Sequence, residues 1–109
     1  MALALNVFRT VTAVVSLSPT IVYTAPVGYT GVVLLGQVAN IGTSSEEVTL
    51  VHRRSSTDTE MLKEFPISAS DTSNLLAGKL VLESGDKLVL SGSNGTNLKF
   101  IGSILETLN

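Results

Sequence analysis

The chain contains one histidine, His52, in the string "TLVHRR", and no cysteine. A serine-type nucleophilic site needs a hydroxyl, an imidazole and an orienting carboxylate in contact. Serines and acids are plentiful, but no G-x-S-x-G elbow presents a serine to a base. His52 follows Val48 and Leu50 in alternation, so it reads as the end of a strand rather than a catalytic base. Thiolate metal sites are excluded. Glu46 and Glu47 are adjacent and would point to opposite faces of a strand. Asp58 and Glu60 flank Thr59 without the D-x-D-x-D-G pattern of a calcium loop. The strings "GYTG" and "GSNGT" have glycines but no P-loop lysine and no following helix, so both read as turns. Asn94-Gly95-Thr96 matches a glycosylation acceptor and reads as a hairpin tip. Arg53 and Arg54 are the only consecutive basic pair, and the chain has two tyrosines, three phenylalanines and no tryptophan. That is too little base-stacking surface for a single-strand binder. The expectation is therefore no enzyme, no metal, no cofactor and no nucleic acid.

The composition points to contact with other protein. Charged residues make up 15% of the 109, against about 25% in an average soluble domain. Mean hydropathy is +0.41 and the formal charge is −2. A free monomer with so few charges would be poorly protected against association. No apolar run reaches the roughly 18–20 residues that span a bilayer. The opening "MALALNVFRTVTAVVSLSPT" lacks a basic leader and is cut by Arg9, so neither an export signal nor a membrane partner is expected.

The elements that would position these residues follow a period of two. "NVFRTVTAVVS", "TIVYTAP", "GVVLLGQVANIG", "EEVTLVHRR", "EMLKEFPIS" and "LKFIGSILETL" read as strands, with "PVGYTG", "TSS", "SSTDT" and "GSNGTN" as turns and loops. "ASDTSNLLAG" reads as irregular, and Pro66 marks an edge or a bulge. The expectation is an all-β, single-domain β-sandwich or jelly roll of about eight antiparallel strands over residues 1–109. Residues 1–12 would form an N-terminal arm or an edge strand. In "GVVLLGQVA", strict alternation puts Val32, Leu34 and Val38 on one face and Val33, Leu35 and Ala39 on the other. A two-layer sandwich buries only one of these faces on its core, and the other needs a cover.

The string "GKLVLESGDKLVLSG" carries K-L-V-L twice. A three-residue loop, Ser84-Gly85-Asp86, would pair Glu83 with Lys87, Leu82 with Leu88, Val81 with Val89 and Leu80 with Leu90. That register predicts a hairpin with the leucines inward and the valines outward. A corner passing from one sheet to the other is the competing reading.

"FRTVTA", "TIVYTAPVGYTGVVLLGQVANIG", "GKLVLESGDKLVLSGS" and "LKFIGSILETLN" resemble small virion structural proteins of tailed bacteriophages, especially phages of marine cyanobacteria. The resemblance runs nearly end to end and lies in turn-and-strand motifs. It implies an assembled particle component and leaves its place on the particle open. The first expectation, joining the resemblance to the low charge and two-faced apolar strands, is a decoration, or cement, protein on the capsid exterior, assembled in the host cytoplasm. Its partners would be itself, as a trimer, and the major capsid protein. A neck, tail or baseplate adaptor and a receptor- or sugar-binding jelly roll are the alternatives. Candidate interface residues are Phe8, Arg9, Tyr29, Val33, Leu35, Arg53 and Arg54, because exposed aromatic, apolar and arginine side chains anchor interfaces.

Overall fold

The computed structural model describes residues 5–109, and over that range nine strands form two antiparallel sheets with no helix. The strands are β1 (Asn6–Val14), β2 (Thr20–Thr24), β3 (Tyr29–Asn40), β4 (Glu46–Arg54), β5 (Thr57–Ile67), β6 (Asp71–Asn74), β7 (Leu80–Leu82), β8 (Lys87–Gly92) and β9 (Leu98–Leu108). The first sheet runs β1-β9-β3-β6, with β7 also on β3; the second runs β2-β8-β4-β5. The all-β, two-sheet expectation is met. Residues 6–14 form an edge strand paired along their whole length with β9. Residues 1–4, the rest of the expected arm, lie outside the described residues.

The core lies between the sheets. Val33, Val38, Leu82, Phe100 and Ile104 from the first sheet face Tyr23, Val48, Leu50, Leu88 and Leu90 from the second. All ten are at least nine-tenths buried. Two bulges set which residues point there. In β3, Val33 pairs with Ile104 and Leu35 with Ser103, so Leu34 is an extra residue. The bulge puts Val33, Gly36 and Val38 on the core side and leaves Leu34 and Leu35 outward. Strict alternation across "GVVLLGQVA" therefore fails at Leu34, and Val38 does not share a face with Val32. In β2, Ile21 pairs with Val89 and Tyr23 with Leu88. The extra residue Val22 lets Ile21 face out while Tyr23 faces in.

The K-L-V-L pair is a corner, not a hairpin. Leu80–Leu82 pair with β3 in one sheet, and Lys87–Gly92 pair with β2 and β4 in the other. The inward sides of Leu82, Leu88 and Leu90 are nevertheless as alternation predicts. The cross-strand partners differ: Leu82 lies opposite Gly31, and Leu88 opposite His52 and Tyr23. Val81 faces out at 56% exposure, whereas Val89 is shielded between its neighbours. Gly85 takes the left-handed conformation at the turn, with φ 86°, where a side chain would be strained.

Other loops are shorter than the sequence suggests. "SSTDT" shrinks to a turn at Ser55-Ser56, because Thr57, Asp58 and Thr59 already pair with Arg54, Arg53 and His52. "ASDTSNLLAG" includes the short strand β6, paired with the end of β3. Pro66 does lie in an edge strand, opposite Glu47, and β5 is broken by two register shifts, with Glu64 at φ 52°.

Candidate functional site

His52 stands at the inward side of β4 near one end of the sandwich. Its Nε2 lies 3.0 Å from Asp86 Oδ2. Arg54, two residues on and on the same side, donates Nε to Asp86 Oδ1 at 2.9 Å and Nη2 to Oδ2 at 2.7 Å. The Glu83 amide donates to Oδ2 at 2.9 Å. The same Arg54 reaches the Glu83 carboxylate at 3.2 Å. Asp86 itself is 2% exposed. The Arg54 hydrogen bonds, helped by His52 and the Glu83 amide, hold the Asp86 carboxyl well below the usual range despite its burial. Its backbone is fastened too: Asp86 N donates to Glu83 O, and Ala25 N donates to Asp86 O. Asp86 thus pins the corner to β4 and to the Ala25 turn. An Asp–His pair of this kind could orient an imidazole, but both carboxylate oxygens are shared with a guanidinium. Among the described residues no hydroxyl is hydrogen-bonded to His52.

A second buried carboxylate links the sheets. Glu106 occupies an inward position of β9 at 2% exposure. Arg9 Nε donates to Glu106 Oε1 at 2.8 Å, and the Tyr23 hydroxyl donates to Oε2 at 2.6 Å. Burial, then the bond to this carboxylate, pushes the Tyr23 hydroxyl well above the ordinary phenol range. Gly31 lies directly opposite Glu106, and a Cβ there would meet the Tyr23 oxygen at 3.1 Å. The missing side chain is what lets the tyrosine ring reach across.

Arg53, Glu46 and Asn94 are tied to structure. Arg53 forms a forked pair with Asp58 at 2.6 and 3.0 Å. Glu46 accepts from Ser93 and Asn94, and Asn94 caps its own turn at Thr96 and Asn97. Among the described residues no three acidic or histidine side chains come together as a metal set.

The outer faces of the two sheets differ. On the second, Lys87, Arg53 and Asp58 form a charged cross-strand row, with Glu60 in the next. On the first, Phe8, Leu105, Val32 and Val81 stand opposite one another across four strands. Neighbouring rows add Leu35, beside Ser103 and Thr10, and Ile101, between Thr12 and Gln37. Among the outward residues of β1, β9, β3 and β7, the only charge is Lys99. A groove of about 560 Å³, lined by Val14, Ala39, Ile101 and Gln37 among others, lies on the same face.

No protein family, curated protein or solved structure matches the chain.

The structure separates the seven candidate interface residues. Phe8, 75% exposed, and Leu35 share the weakly charged face. Val33 is fully buried in the core because of the Leu34 bulge, so it offers a partner no surface. Arg9 and Arg54 serve the two buried carboxylates, and Arg53 lies on the opposite, charged face. Tyr29 opens β3 beside Leu108 and is half-buried. Sequence reasoning did not single out Glu106 or Tyr23. The signal for Glu106 was present: it continues the inward series Leu98, Phe100, Gly102, Ile104.

Proposed function

We propose that the chain is a virion structural subunit, a capsid decoration protein that docks the outer face of its first sheet over junctions between major capsid subunits. One observation carries the reading: a four-strand apolar row, Phe8–Leu105–Val32–Val81, lies on a face with a single charge. Burying such a face strips water from apolar atoms and almost no charge, whereas the opposite face would have to desolvate a row of ions. Contiguous exposed apolar surface of this kind is typical of a protein-binding site. The resemblance of the turn-and-strand motifs to phage virion proteins supports the same reading. Each copy needs only modest affinity, because contacts to several shell subunits at once multiply through avidity.

The test is co-sedimentation of the purified chain with shells of the major capsid protein made in its absence. Wild type should pellet with the shells, and Leu105→Lys should stay in the supernatant with its far-UV spectrum unchanged. Equal pelleting of both proteins, or none by wild type, would overturn the proposal.

A further inference from the structure

β1 ends the first sheet, and among the described residues no strand pairs with its open side. Backbone bonds fix which residues face that side. Leu108 N donates to Leu5 O at 2.8 Å and Val15 N donates to Leu98 O at 2.9 Å. Odd-numbered residues of β1 therefore bond to β9. The even-numbered Phe8, Thr10, Thr12 and Val14 turn N–H and C=O outward, by the alternation of an antiparallel ladder.

β1 lacks the devices that usually protect an edge. It is nine residues long, without proline and without a register shift against β9. Its one charge, Arg9, is drawn onto Glu106. The other edges are blunted. β5 has Pro66 and two register shifts, β2 has a bulge, and β6 and β7 are four and three residues long. Phe8 at 75% and Val14 at 51% exposure stand on this unprotected strand.

We propose that two copies of the chain pair through β1, antiparallel, about a two-fold axis at Val11. In that register Phe8 of each copy faces Val14 of the other, and Thr10 faces Thr12. On the core side Val11 faces Val11, Val7 faces Val15 and Arg9 faces Ala13. Phe8, Val14, Val7, Val15 and Val11 all meet apolar residues and each threonine meets a threonine, the pairs that stabilise sheets. The one mixed pair is Arg9 with Ala13, and the Arg9 head group is held on its own Glu106. Four hydrogen-bonded pairs give about eight new backbone bonds. An axis at Thr10 would instead set Phe8 against Thr12 and Val14 against Asn6. An axis at Arg9 would bring the two guanidinium groups together. The occupant is a second copy because the strand is complementary to itself. This pairing goes beyond the decoration reading and stands on the edge geometry alone, so a chain absent from particles would leave it intact. The proposed assembly is a dimer, in place of the expected trimer.

Sedimentation equilibrium of the full chain should give twice the 11.4 kDa chain mass. The chain has no cysteine, so Val11→Cys supplies a single thiol on the axis. Facing residues of a non-hydrogen-bonded pair lie about 4.5 Å apart at Cα, within disulfide reach. Oxidised Val11→Cys should migrate as a dimer on a non-reducing gel, and Thr12→Cys, set off the axis, should not. Thr10→Lys with Thr12→Lys places like charges opposite each other at two pairs and should weaken association more than ten-fold. Thr10→Lys with Thr12→Glu places opposite charges there and should keep the dimer. Far-UV spectra confirm that each variant is folded. A wild-type mass of one or three chains, cross-linking through Thr12→Cys but not Val11→Cys, or equal weakening by the two charge variants would overturn the pairing.

Discussion

Replacing Tyr23 with phenylalanine removes one hydroxyl and leaves a buried carboxylate oxygen without its donor. The lost bond is 2.6 Å long and joins residues that are 8% and 2% exposed. A hydrogen bond to a charged, buried group contributes about 1.5–3 kcal/mol, and most of its loss is the unmet desolvation of the partner. At about 4 °C per kcal/mol for a chain of this size, the melting temperature should fall by about 6–12 °C. The same substitution in a Glu106→Leu background should cost no stability, because the hydroxyl it removes has already lost its acceptor. Urea unfolding of the four proteins, followed by far-UV circular dichroism, gives the coupling from the midpoints at constant slope. A Tyr23→Phe loss below about 0.5 kcal/mol, or the same loss in both backgrounds, would refute the claim that Glu106 and Tyr23 bridge the sheets. The outcome bears on function, since Arg9 fastens β1 to the same carboxylate.

Gly31→Ala should destabilise by about 1–3 kcal/mol, because a methyl group 3.1 Å from the Tyr23 oxygen must shift the ring by a few tenths of an ångström and strain its bond to Glu106; thermal melts that match wild type would contradict this. Asp86 has a depressed folded-state pKa, so its stabilisation is complete above the unfolded carboxylate value near about pH 4 and is lost as pH falls below it. The stability gap between wild type and Asp86→Asn should accordingly be level at neutral pH and narrow below about pH 4, as read from urea midpoints across pH; a gap that widens in acid would count against the Asp86 brace. Val81→Lys, on an exposed outward position, should leave stability within about 0.5 kcal/mol while reducing shell binding; unchanged co-sedimentation would remove Val81 from the docking row.

The alternation of apolar residues made the fold class legible, and the K-L-V-L pair shows how far that reaches. Inward parity is a property of each strand, so Leu82, Leu88 and Leu90 face the core as read. Strand partnership is not local. The pairing that looked best between the two copies lost to β3, β2 and β4 once Asp86 folded the corner across to the other sheet. Bulges hid a second layer. Nothing in "GVVLLGQVA" marks Leu34 as the extra residue, so strict alternation groups Val33 with Leu35 and Ala39, whereas the structure buries Val33 in the core. Arg53 and Arg54 looked alike in sequence, yet adjacent positions on a strand sent one to a charged outer face and the other to a buried carboxylate. The apolar row on the first sheet joins four strands far apart in the chain. It became visible only when the registers of β1, β9, β3 and β7 were fixed together.

The central claim, that this chain is a decoration subunit, is tested most directly by its copy number in purified particles from the genome that encodes it, measured by quantitative mass spectrometry against the major capsid protein. A decoration subunit would be present in proportion to the major capsid subunits, covering the shell. Absence from the particles, or a number matching a single ring at the neck or tail, would contradict it.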